Sequence, residues 1–247
     1  MPATRVRPHV ARVLERTRAM LFVFDGVICD LFAGVDTSAI ADDIRARLPA
    51  PSPPLSLLTG VAFHVTTDPL WMVTYAHQVS ASHGDEAEDI LRAAETAAVM
   101  TAVPVPGVRQ VLLACQASGR RVAVVGGRYS ATIESYLDRH ELRQLVGPVI
   151  GRRHHRPSST SMGAALVRQA RRALAMNPAE CTVVGASVQA MMVAADIGTQ
   201  AIGVAGLRES RKHMANVDGS VVVSSLPHLA DALATVPIGG DISTSPM

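Results

Sequence analysis

Leu21-Phe22-Val23-Phe24-Asp25-Gly26-Val27-Ile28-Cys29-Asp30 completes an apolar run that begins at Ala19 and is closed by Asp25-Gly26. The run is apolar at every position rather than at alternate ones, which suits a strand buried on both faces of a sheet. The pattern recurs along the chain. Arg121 to Val125 is closed by Gly126-Gly127, and Cys181 to Val184 is closed by Gly185. Leu145 to Ile150, Ala201 to Ala205 and Ser220 to Val223 are further runs of the kind. Helical patterns lie between them, at about 108–118, 130–140 and 161–174. In the last, Ala165, Leu166, Ala170, Ala173 and Leu174 share one face and the arginines fall elsewhere. Strand–helix alternation implies right-handed crossovers and a parallel sheet.

Residues 33–102 break that rhythm. Ile40, Ile44 and Leu48 have helical spacing, as do Ile90, Leu91, Ala94, Ala97 and Ala98, and Pro51, Pro53 and Pro54 mark a loop between them. The expected organisation is an α/β core over 1–32 and 103–236, a helical insert over 33–102, and a disordered tail over 237–247.

Composition narrows the class. The chain has 247 residues, 48% of them hydrophobic and 18% charged, enough for a core that stands alone. A net charge of +2 gives no reason to expect a nucleic-acid partner. The longest apolar stretch, Cys181 to Gly206, is interrupted by Gln189, Asp196, Gln200 and three glycines, so no membrane span or membrane partner is expected. Three separated cysteines, Cys29, Cys115 and Cys181, make no metal spacing and cannot all pair, which points to a reduced, cytoplasmic setting.

The segment around Asp25 resembles the first motif of the haloacid dehalogenase superfamily, an apolar strand followed by Asp-x-Asp-Gly-Thr/Val. The order of later segments is similar to the phosphoglycolate-phosphatase-like branch, over roughly residues 19–210. The resemblance implies a three-layer, Rossmann-like α/β core with a parallel sheet, carrying a helical cap at 33–102. It also implies a chemistry. In that family the first Asp attacks phosphorus, and the second protonates the leaving oxygen. A Thr or Ser and a Lys hold the phosphoryl oxygens, and motif-four carboxylates hold Mg²⁺.

Residue by residue, this sequence departs from that pattern. Val23 stands at the nucleophile position, and Asp25 alone remains, as a vestigial acid/base. Gly126, followed by Gly127 and Arg128, replaces the Thr or Ser, and Arg156-Pro157 replaces Lys-Pro. Gly185-Ala186-Ser187-Val188-Gln189-Ala190 stands where the family has Gly-Asp-Ser-x-x-Asp, so Ala186 and Ala190 replace both carboxylates. Valine has no lone pair, and losing nucleophile and metal carboxylates together removes most of the several kcal/mol such a metal supplies.

The expectation is therefore a non-catalytic, ligand-binding or regulatory protein of this fold, with no metal and no cofactor. Two alternatives stand beside it. One is a hydrolase of small phosphate monoesters, using Mg²⁺ and attacking with water. The other is a metal-free enzyme recruited to a specialised pathway. Expected ligand contacts are Gly126, Gly127, Arg128, Arg156 and Ser187, for a small or phosphorylated molecule, and a protein partner is also open.

Several residues carry two readings. Asp25 serves proton transfer, or caps the turn after the first strand through backbone N–H groups. The run Arg152-Arg153-His154-His155-Arg156 binds an anion through paired arginine contacts, or is a solvated loop. Asp30 sits near the cap entrance or caps a turn. Ser130 and Ser187 are read as helix caps, and Cys29 as a small buried hydrophobe. His64, Trp71, Met72, Tyr75 and His77 face the pocket or fill the cap's own core.

Overall fold

The computed structural model describes residues 6–50, 57–153, 163–206 and 211–239. Six strands form one sheet: β1 (Ala19–Val23), β2 (Arg121–Tyr129), β3 (Val149–Arg152), β4 (Cys181–Gly185), β5 (Gln200–Val204) and β6 (Ser220–Val223). All pairings are parallel, and the order is β3-β2-β1-β4-β5-β6. β1 is central and buried at every position, which explains its unbroken apolar run. Chain direction across the sheet reverses between β1 and β4. In such sheets the crevice beyond the carboxyl ends of those strands is the usual place for ligands.

Helices cover both faces. α1 (Pro8–Arg16), α6 (Val108–Ala117) and α11 (Leu226–Thr235) pack together, as do α8 (Ala164–Ala173), α9 (Val188–Asp196) and α10 (Arg211–Ala215); α7 (Ser130–Arg139) lies against β2 and β3. The result is the α/β Rossmann-like architecture expected from the strand–helix rhythm. No helix of the described residues is long and apolar enough to cross a membrane.

Two strands differ from expectation. β2 does not stop at Gly126. It continues to Tyr129, which pairs with Arg152 of β3 after an irregularity that begins at Val125. Gly126 is tolerated there because its missing side chain lets Phe24 approach; a Cβ would lie 3.0 Å from the Phe24 Cβ. The third strand starts later, at Val149, because Arg143–Leu145 forms a 3-10 turn.

Between β1 and α6 lie α2 (Thr37–Arg45), α3 (Leu57–Val65), α4 (Pro69–Val79) and α5 (Ala81–Val99). They enclose a second hydrophobic cluster, which includes Ile44, Phe63, Met72, Tyr75, Ala76 and Leu91. Asp36, Asp68 and Ser80 cap α2, α4 and α5 through their side-chain oxygens. α5 runs on into the main core, where Ala98 and Val99 are buried. The prolines at 51, 53 and 54 lie outside the described residues. At the other end, the Gly239 N–H donates to the Glu15 carbonyl at 2.8 Å, and residues 240–247 lie outside the described residues.

Candidate functional site

The carboxyl ends of β1, β2 and β4 meet where the sequence places the altered motifs. After Val23 and Phe24 the chain turns sharply at Gly26, whose φ is +83°. Backbone groups satisfy that turn. Ile28 and Cys29 N–H donate to the Phe24 carbonyl, and Gly26 N–H donates to the Cys29 carbonyl at 2.6 Å. The Asp25 carboxylate is thus not the cap of its own turn, as one reading expected. Both its oxygens accept from Arg128 Nε at 3.0 Å.

Arg128 is a site residue drawn inward rather than offered to a ligand. Its guanidinium lies 4.2 Å from the centre of the Phe32 ring and 3.8 Å from Glu95 Oε1. Burial works against its charge, but the neighbouring Asp25 and Glu95 more than offset this and hold its pKa above the ordinary arginine value.

Glu95 of α5 ties this pair to a second arginine. Its Oε1 also accepts from Arg152 Nη1 at 3.2 Å, and its Oε2 accepts from Tyr129 N–H at 3.0 Å. Arg152 Nη1 donates further to the Gly127 carbonyl at 2.6 Å, and Arg152 Nε donates to Glu88 Oε2 at 3.1 Å. His77 of α4 stands beyond, with Nε2 3.8 Å from Glu88 Oε1.

Arg152 is 2% exposed, so neither reading of the basic run holds for it: it is neither solvated nor presented to a ligand. Arg156 and both histidines of that run lie outside the described residues.

The β4 side is different in kind. Val23, Ala186 and Ala190 are all buried. A Cβ on Gly185 would meet the Ala190 Cβ at 2.5 Å and Val23 Cγ2 at 3.6 Å, so these small residues close on one another. Ser187 accepts from Ala190 N–H at 3.2 Å and caps α9.

Ser130, also read as a cap, is not one. Its hydroxyl donates to the Arg152 carbonyl and accepts from Gly151 N–H, so it pins β3 to the start of α7.

Cys29 is buried, and its thiol is pushed up to about 12, first by burial and then by the charges of Asp25 and Asp30. Met72 and Tyr75 belong to the second core, with Trp71 stacked on Tyr75 at 5.8 Å and His64 edge-on to Phe63. His77 lies on Gly84 of α5, where a Cβ would come 2.1 Å from His77 Nδ1. Glu88 and Glu95 were not singled out from the sequence. Their signal is two acidic residues seven apart within the buried stripe of α5 that contains Gly84, Ala87, Leu91 and Ala98.

No family model and no curated protein matches the sequence. Solved structures do match. A haloacid dehalogenase-like hydrolase from Streptococcus pneumoniae aligns over 87% of this chain and 98% of its own, with TM-score 0.60 and 18% identity. A predicted phosphatase from Clostridium acetobutylicum aligns over 87% and 96%, with TM-score 0.66 and 17% identity. A hydrolase from Pseudomonas syringae aligns over 90% and 100%, with TM-score 0.61 and 13% identity.

The fold is that of the haloacid dehalogenase-like hydrolases.

On the motif alignment, a Mg²⁺ would draw on carboxylates at positions 186 and 190, and this chain has Ala186 and Ala190 there, with Val23 at the nucleophile position beside them. Among the described residues no group of three or more His, Cys, Asp or Glu side chains could hold a metal ion. Mg²⁺ demands an oxygen shell, and these residues do not fit one.

Proposed function

We propose that the chain is a non-catalytic, ligand-binding or regulatory protein built on a haloacid dehalogenase-like fold, with α2–α5 as its cap and with neither metal nor cofactor. One observation carries the reading: the remaining carboxylate of the first motif, Asp25, has both oxygens committed to Arg128. A general acid/base must reach the proton it moves. Asp25 would first have to leave an arginine that holds it in place. Beside it, Val23 offers no nucleophile and Ala186 and Ala190 offer no carboxylate to a metal, which supports the same reading.

Gly126, Gly127, Arg128, Arg156 and Ser187 are the proposed contacts of a small or phosphorylated ligand, although Gly126 and Gly127 are buried within β2. Such a ligand must compete with Asp25 for Arg128, because a guanidinium pairs with phosphate or carboxylate by the same donors. A reduced, cytoplasmic setting fits three buried free cysteines, and a protein partner remains compatible with the reading.

The competing reading is a phosphomonoester hydrolase, favoured by the phosphatase and hydrolase names of the structural neighbours. An assay separates the two. An aryl phosphate and a sugar-phosphate panel are offered to the wild type and to Asp25→Asn, with Mg²⁺ and with EDTA. No turnover above blank is expected in any condition. Metal-dependent turnover that disappears in Asp25→Asn would replace the proposal with the hydrolase.

A further inference from the structure

The helices α2–α5 and the sheet have separate hydrophobic clusters. Phe32 packs against both. Beside Phe32, near the sheet edge, runs a ladder of charges: Asp25, Arg128, Glu95, Arg152 and Glu88 alternate in sign from the end of β1 to the middle of α5. Glu88, Glu95 and Arg152 are each no more than 2% exposed. Buried charges are poor glue, since burying them costs hydration that their mutual attraction only partly returns. They are well suited to a junction that must separate, because each group regains water when parted. An apolar junction would resist separation by its whole area.

The ladder is also graded along its length. Its inner end is well satisfied: Glu95 accepts from Arg152, Tyr129 N–H and Thr132. Its outer end is not. Glu88 Oε1, Arg152 Nη2 and His77 Nε2 are buried without a hydrogen-bond partner, and the gap from His77 to Glu88 is 3.8 Å. Each such group carries a desolvation penalty that parting would relieve. The outer end is also the far end of a lever. α5 is rooted in the main core through Ala98 and Val99, so a swing about that root moves Glu88 further than Glu95.

We propose that this ladder is an ionic latch that holds α4 and the first half of α5 over the carboxyl edge of the sheet and releases from its His77–Glu88 end. This holds whether or not the chain turns over a substrate.

Hydrogen exchange read peptide by peptide on the full chain tests the latch. Glu88→Gln keeps the shape but removes one of the two carboxylate charges that Arg152 faces. Peptides from α4 and the first half of α5 are expected to exchange at least about tenfold faster, while β4 and β5 keep wild-type protection. Arg152→Lys, which keeps the charge but cannot reach Glu88, Glu95 and the Gly127 carbonyl together, is expected to loosen the same peptides. If Glu88→Gln does not fold, Arg152→Lys decides. Unchanged exchange in the first half of α5, or an equal loss of protection in β4 and β5, would overturn the proposal.

Discussion

The two flanks of β1 end in opposite ways. Toward β4, Val23, Gly185 and Ala190 pack closely together and Ala186 beside them is buried. Toward β2, Asp25, Arg128, Glu95 and Arg152 form a buried run of charges that reaches across to α5. On the β4 flank, positions 23, 186 and 190 carry Val, Ala and Ala, none of which has a side-chain oxygen. On the β2 flank, Arg128 of the chain itself donates to both oxygens of Asp25. The β4 side of this edge is packed with small apolar residues, and the β2 side is internally paired.

The charged half should be the more fragile. Arg152→Met strands Glu88 and Glu95 together. It is expected to cost about 3–5 kcal/mol, the usual penalty for leaving a buried charge unpaired. At about 2–4 °C per kcal/mol for a chain of this size, the melting temperature should fall by roughly 6–20 °C. A shift of only a degree or two would mean that these pairs are open to water.

The apolar half should resist enlargement rather than removal. Gly185→Ala puts a methyl 2.5 Å from the Ala190 Cβ and 3.1 Å from Met191 Cε. Overpacking of this kind costs about 1–3 kcal/mol. Denaturant unfolding would show it, and an unchanged midpoint would mean that the β4 flank is loosely packed.

Asp25→Asn probes the seam between the halves. The side chain is 14% exposed and keeps one oxygen as an acceptor for Arg128. A loss of about 1–2 kcal/mol is expected, below that of Arg152→Met. A larger loss would move the centre of the network from Arg152 to Arg128.

The smallest effect is expected from the thiols at neutral pH. Cys29 and Cys115 are pushed up to about 12 and Cys181 to about 11, each first by burial. A raised folded-state value means the stability tied to the neutral thiol is full below the ordinary thiol pKa. It is lost as pH climbs toward 11–12. Maleimide should therefore leave the native chain unlabelled at pH 7, and stability should decline only above about pH 9. Rapid labelling of Cys29 at pH 7 would show that the edge beside Asp25 is open.

The apolar runs made the sheet legible, because strands buried on both faces write their burial directly into the sequence. Where a strand ended was less legible. Gly126-Gly127 reads as a stop, yet β2 continues, because Phe24 needs the space that a side chain at Gly126 would fill. The apolar positions Val23, Ala186 and Ala190 were visible as departures from a motif. The charged half was not. Arg152 sits in a run of basic residues that reads as surface, and its partners lie 57 and 64 residues away on α5. Only the seven-residue spacing of Glu88 and Glu95 on an otherwise apolar stripe hinted that two carboxylates were waiting inside for arginines.

The most direct test of the central claim is a titration of Mn²⁺, a spectroscopic stand-in for Mg²⁺, followed by electron paramagnetic resonance on the wild type and on Asp25→Asn. If the chain's own groups fill the carboxyl edge of the sheet, both proteins should leave the free Mn²⁺ signal at its buffer value. One bound Mn²⁺ per wild-type chain, lost in Asp25→Asn, would show that Asp25 is free to hold a cation and would contradict the account.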